Sequence, residues 1–156
     1  MKQIKYLAFL ILASCITEAP IYPRRYIIEN GTGVPITLQF YSEGTLLTYL
    51  FSETQLQNTE QLVGVTLDRR IPWSELSPDT IADSPVSSFN ADSIRIIYDN
   101  LKVSSFTYTY RTGNFTPIER NILRNSDYTS IGGDNFLFII NESDFENAED
   151  CNGNCE

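Results

Sequence analysis

The chain of 156 residues is long enough for one domain with a sizeable core, and its 42% hydrophobic and 12% aromatic content is that of globular rather than disordered protein. With 11 basic against 20 acidic side chains, it lacks the clustered cations that bind nucleic acid or hold a protein on anionic lipid. The absence of histidine excludes Ser-His-Asp triads, Cys-His dyads and histidine-ligated zinc, leaving carboxylate pairs, Ser-Lys dyads and oxygen-ligand Ca²⁺ sites.

The first fourteen residues read as an export leader: Lys2 and Lys5, an apolar run over residues 6–13, then Ser14. The run is too short to span a bilayer, which takes roughly 20 apolar residues. Leu12-Ala13-Ser14-Cys15 resembles the bacterial lipobox, in which a branched apolar residue and two small residues precede a lipid-accepting cysteine. That pattern implies lipidation of Cys15 and cleavage before it. Several acyl chains, at about 0.8 kcal/mol per buried CH₂, hold a protein on a membrane without a spanning helix. Pro20 and Pro23 then suggest a short, extended spacer over residues 15–24, which would keep the domain close to the membrane.

From residue 25 the signals are mostly β. Residues 25–30 are rich in strand formers and stop at Asn30-Gly31, a turn pair. Residues 35–42 alternate, with Ile36, Leu38 and Phe40 on one face, and a turn at Ser42-Glu43-Gly44 makes residues 35–51 a hairpin. Residues 61–67 form a further strand with Leu62 or Val63 facing the core. Residues 71–91 hold Pro72, Pro78, Pro85 and the only tryptophan, Trp73, and read as a long connection with one helical turn around residues 73–76. Such connections often carry function, although a crossing loop pinned by Trp73 is the simpler reading.

Residues 92–98 and 102–110 read as a second hairpin around Asp99-Asn100, with Phe106, Tyr108 and Tyr110 on one face. Residues 114–130 look like loop. Residues 136–140 form the last clear strand, and Ser143-Asp144-Phe145-Glu146 reads as a capping box opening one short helix to about Ala148. About seven short strands with dense turn chemistry predict an antiparallel β-sandwich, immunoglobulin-like in the broad sense, over residues 25–150; a small β-barrel is the alternative. Arg24-Arg25 and Arg69-Arg70 read as solvated strand ends.

Few residues point to chemistry. Cys151 and Cys155 flank an Asn-Gly turn in the tail of residues 151–156, and an exported compartment favours a disulfide between them. Glu142, Asp144, Glu146, Glu149, Asp150 and Glu156 crowd the same end. They lack the regular Asp spacing of a Ca²⁺ loop, so a solvated acidic face is the plainer reading. Trp73, Tyr108 and Tyr110 are candidate ligand-contacting aromatics for sugar rings, against the simpler role of core residues. No catalytic residue, cofactor or metal is expected.

Arg120-Asn121-Ile122-Leu123, Asp134-Asn135-Phe136-Leu137-Phe138 and Ser143-Asp144-Phe145-Glu146-Asn147-Ala148 are similar to the C-terminal ends of uncharacterised small Bacteroidota envelope lipoproteins. With the leader, the resemblance covers about the last 40 residues and implies an envelope lipoprotein while carrying over no catalytic residue. Thr80 (in Asp79-Thr80-Ile81) and Ser93 (in Asp92-Ser93-Ile94) look like O-glycosylation sites of that phylum. Ile16-Thr17-Glu18 lacks the acidic run associated with surface export, which favours outer-membrane attachment facing the periplasm. The expectation is a non-enzymatic binding or structural module with a protein partner in the envelope; a glycan-binding accessory lipoprotein of a polysaccharide-uptake system is the alternative.

Overall fold

The computed structural model describes residues 23–48, 53–66, 84–151, 154 and 155. The leader, Cys15, the spacer up to residue 22, Arg69-Arg70, Trp73 and Thr80 lie outside them, and the expected spacer position 24 belongs to the first strand. The described residues form eleven strands and two short helices in two sheets.

The first sheet holds β1 (Arg24–Asn30), β5 (Gln61–Thr66), β9 (Thr129–Gly132) and β10 (Asn135–Ile140), in the order β5-β1-β10-β9. Its two central strands, β1 and β10, alternate in burial, with one face in the core. The second sheet is built on β2 (Ile36–Ser42), β6 (Ser93–Tyr98) and β7 (Lys102–Thr109), in the order β7-β6-β2. Two short strands share each outer edge. On β2 these are β3 (Thr45–Leu46) and β4 (Glu53–Leu56). On β7 they are β8 (Asn114–Thr116) and β11 (Glu149–Asp150). Neither sheet closes on itself, so the fold is a two-layer sandwich and not a barrel.

The core follows from strand alternation. Ile36, Leu38 and Phe40 of β2, Ile94, Ile96 and Tyr98 of β6, and Phe106 of β7 meet Tyr26 and Ile28 of β1 and Phe136, Phe138 and Ile140 of β10. Of the two alternatives for the inward residue of β5, Leu62 packs against this core and Val63 stays exposed.

The sequence reading lacked the edge strands β4 and β11 and carried the hairpin strand past Leu46, where β3 ends; four further features depart from it. One pair, β1 with β10, is parallel, because the first strand inserts between β5 and the late strand β10. The stretch read as loop over residues 114–130 contains β8, the start of β9 and a single 3-10 turn at Asn125–Asp127. Arg24 is fully buried, not a solvated strand end; it is the first residue of β1, and its backbone N–H donates to Thr66 Oγ1 at 3.1 Å.

The fourth concerns helices, of which there are two rather than one. Helix α1 (Pro85–Phe89) occupies the end of the predicted long connection. Pro85 stands in its first turn, where a missing N–H costs nothing. Asn90 closes it in a left-handed conformation with φ 52°. Val86, Phe89 and Ala91 are buried, so this part of the connection is core and is not presented to a partner. Phe89 lies so close to Gly64 that a Cβ there would meet its ring at 2.6 Å, which is why β5 carries glycine at an inward position. Helix α2 (Glu142–Glu146) opens two residues earlier than its predicted capping box: Asn141 is the N-cap and Asp144 the reciprocating side chain.

Candidate functional site

The β7 edge contains a gap. On that strand Tyr108 N–H donates to the Asp92 carbonyl, while the carbonyls of Leu101 and Thr109 accept from Cys151 and Gly113 on the other side. Even-numbered residues therefore bond toward β6 and odd-numbered ones point outward. Val103 faces Glu149 of β11 and Thr107 faces Thr116 of β8. Ser105 lies between them, paired only with Arg95 of β6, and its outward N–H and C=O have no strand opposite. β8 stops at Thr116, and the chain from Pro117 onward leaves β7.

A cleft of about 480 Å³ opens over this gap. Its floor is β7 from Val103 to Phe106, and its walls are the 116–120 segment and the residues around α2. That size is within the range of small-ligand sites.

The 116–120 wall is held by a fully buried asparagine. Asn121 Nδ2 donates to the carbonyls of Thr116 (2.8 Å) and Pro117 (3.3 Å), and its Oδ1 accepts from Leu123 N–H at 2.9 Å. Asp127 Oδ2 takes the Asn121 N–H at 2.6 Å and pairs with Arg124 at 2.8 Å. Arg124 in turn donates to the carbonyls of Ile118 and Glu119. An irregular segment this close to the core needs such internal partners.

Arg120 links the two walls. One guanidinium nitrogen pairs with Asp144 Oδ2, the other donates to the Ile139 carbonyl at 2.6 Å, and the plane lies 3.9 Å from the Phe138 ring centroid. Asp144 Oδ2 also accepts the Asn141 N–H at 2.8 Å, so one carboxylate caps α2 and anchors the arginine.

Tyr98 reaches this region from the core side. It is fully buried, its ring 5.6 Å from that of Phe145, and its hydroxyl has no hydrogen-bond partner among the described residues. Ser104 lies beside it, but the two hydroxyls are not placed as a hydrogen bond. Burial pushes the phenol up to about 12, with Asp144 acting the same way and Ser104 and Arg120 opposing. At neutral pH it stays protonated, behind the cleft floor and outside the cleft lining.

The residues singled out from sequence stand elsewhere. Phe106 is core; Tyr108 lies at the core margin, against Phe115 at 4.9 Å and Tyr110 at 5.0 Å. The two tyrosine rings meet edge to face, so they make no flat platform, and only Tyr110 is open, at 62% exposure. Partial burial, then Asp92, Tyr108 and Glu43, raise the Tyr110 hydroxyl above its usual range. Ser93 is half-buried at the start of the central strand β6, its hydroxyl 3.2 Å from Asp92 Oδ1. Cys151 and Cys155 are joined by a disulfide, with Cα atoms 4.9 Å apart. Among the described residues no three acidic or cysteine side chains gather as metal ligands, and no helix is long and apolar enough to cross a membrane.

Ser104 and Ser105 were invisible as site residues in the sequence, where they read as ordinary members of a hairpin. Arg120 and Asp144 stood out only within a resemblance and a helix cap. No family model, no curated protein and no solved structure matches the chain.

Proposed function

We propose that the chain is a membrane-anchored cell-envelope lipoprotein, attached through Cys15 to the outer membrane and facing the periplasm, whose β-sandwich is a non-enzymatic binding module for a protein partner. The lipobox-like Leu12-Ala13-Ser14-Cys15 behind a basic-apolar leader carries this reading. Two facts support it. The first strand begins at Arg24, so the tether is short and the domain works near the membrane surface. Histidine is absent from the whole chain, which removes the commonest general base, whereas a cleft with polar groups at its base suits binding.

The test is metabolic labelling with a fatty-acid analogue. The wild-type chain takes up label and sediments with outer membranes, and Cys15→Ser does neither; label retained on Cys15→Ser refutes the anchor. Crosslinking in cells then yields a defined protein adduct, and none above background counts against the partner. A second reading, a glycan-binding accessory lipoprotein, draws on the exposed Tyr110 ring. It requires that Tyr110→Ala abolish retention on a polysaccharide matrix.

A further inference from the structure

We propose that the cleft on β7 takes a short extended peptide end, of about three residues and with a free amino terminus, which pairs through its backbone with Ser105. This deepens, and rests on, the reading of the domain as a protein-binding module.

Ser105 offers one outward N–H and one outward C=O, the pair that a single residue of an antiparallel strand satisfies. Only Ser104, Ser105 and Phe106 lie between the rows occupied by β11 and β8. At about 3.3 Å per residue the opening admits roughly three residues of strand. A longer segment would have to leave the sheet twice, past Pro117 and past Ala148. A chain end leaves it once, so an end fits better than an internal loop.

Strand geometry also sets where the peptide side chains go. The residue opposite Ser105 points to solvent, as Ser105 does. Its neighbours, opposite Ser104 and Phe106, point inward. The one opposite Ser104 lies on the same face as the Ser104 side chain, which lines the cleft and offers its hydroxyl to a polar side chain there. The rim sets the charge. Glu119 and Glu149 line the cleft and form no salt bridge among the described residues, while Arg120, the cation between them, is committed to Asp144 and the Ile139 carbonyl. The unbalanced charge is negative and favours an ammonium end.

The experiment is an amide-resolved NMR titration of the detergent-solubilised full chain. The probes are an equimolar mixture of tripeptide amides with free amino termini, the same mixture acetylated, and N-acetylglucosamine. The expected result is a saturable shift centred on the Ser105 amide with the free-amine mixture and weaker binding of the acetylated one. Ser104→Ala weakens binding about fivefold, the worth of one neutral hydrogen bond. Ser105→Pro removes the outward N–H without touching a bond to β6 and abolishes the accompanying shifts of the Ser104 and Phe106 amides, while a retained spectrum elsewhere reports an intact fold. An unmoved Ser105 amide with both peptide mixtures overturns the proposal, as does a response to N-acetylglucosamine alone. Equal binding of free and acetylated peptides overturns the charged end. The Cys15 labelling experiment is read separately, so failure of the anchor and failure of the cleft are distinguishable.

Discussion

The two outer edges of the second sheet are built alike and finished differently. Each is covered by a pair of short strands that leave a junction between them. At β2 the junction is closed: Leu47, just past β3, donates its N–H to the Phe40 carbonyl at 2.8 Å and buries its side chain in the core. At β7 the junction stays open at Ser105, and a cleft stands over it. What differs is the chain that follows each covering strand. After β3 the backbone continues in register for one more apolar residue. After β8 it meets proline, turns away, and is held away by the Asn121 hydrogen bonds. A cleft can thus arise from the interruption of a ladder, without any dedicated loop.

The sharpest test is a matched pair of proline substitutions. Leu47→Pro removes the N–H on the Phe40 carbonyl and most of a buried side chain, and is expected to cost roughly 4 kcal/mol in urea unfolding. Ser105→Pro is expected to cost under about 1 kcal/mol, because its N–H faces outward at an edge. Equal losses would mean that the two edges are equally closed. A smaller effect concerns pH. The phenol of Tyr98 is raised to about 12 in the folded protein, against about 10 in the unfolded chain. Above pH 10 the unfolded chain releases this proton first, so its stabilising contribution is complete below pH 10 and lost as pH rises toward 12, by about 3 kcal/mol. Tyr128, also raised by burial, adds to the same alkaline loss. Tyr98→Phe is expected to flatten the alkaline limb of the stability curve, and an unchanged limb would place the phenol in contact with water.

Asn121→Ala leaves two carbonyls and one N–H of the cleft wall without partners, for an expected loss of about 2 kcal/mol in the same unfolding assay. Smaller again is the bridge between the walls. A double-mutant cycle of Arg120→Met and Asp144→Asn should give a coupling of about 1 kcal/mol, since both side chains keep some solvent contact. The smallest effect is one of sign. Tyr128→Phe loses the bond to the Ile122 carbonyl and costs about 1 kcal/mol. Tyr98→Phe removes a hydroxyl with no partner and is expected to be neutral or slightly stabilising in thermal unfolding at pH 7.

The legible part of the fold is the part governed by alternation. Ile36, Leu38 and Phe40 declare the inner face of β2, and the apolar residues of β6 and β10 do likewise. Illegible were the features decided by distant partners. The helix cap is an example: Asn141 with Asp144 and Ser143 with Glu146 both fit a capping box, and Asp144 prevails where it can also bind Arg120. Pro85 reads as a breaker until one sees it open α1. Buried polar residues deceive in the same way. Asn30 reads as a turn residue, yet it is fully buried and donates to the carbonyls of Val34 and Leu56. The candidate site belongs to this second class. Its residues are unremarkable one by one, and only the meeting of β8, β11 and α2 around β7 gives them a common purpose.

The parallel pairing of β1 with β10 also fixes an order of events. Arg25 lies beside Asn135 and Asn30 beside Ile140, a closure of roughly a hundred residues that is costly in chain entropy and slow to find. A polypeptide made from its N-terminus presents β1 early and its neighbour late. Until Asn135–Ile140 emerges, β1 has only β5 to pair with, and one of its edges stays open through most of the chain's synthesis.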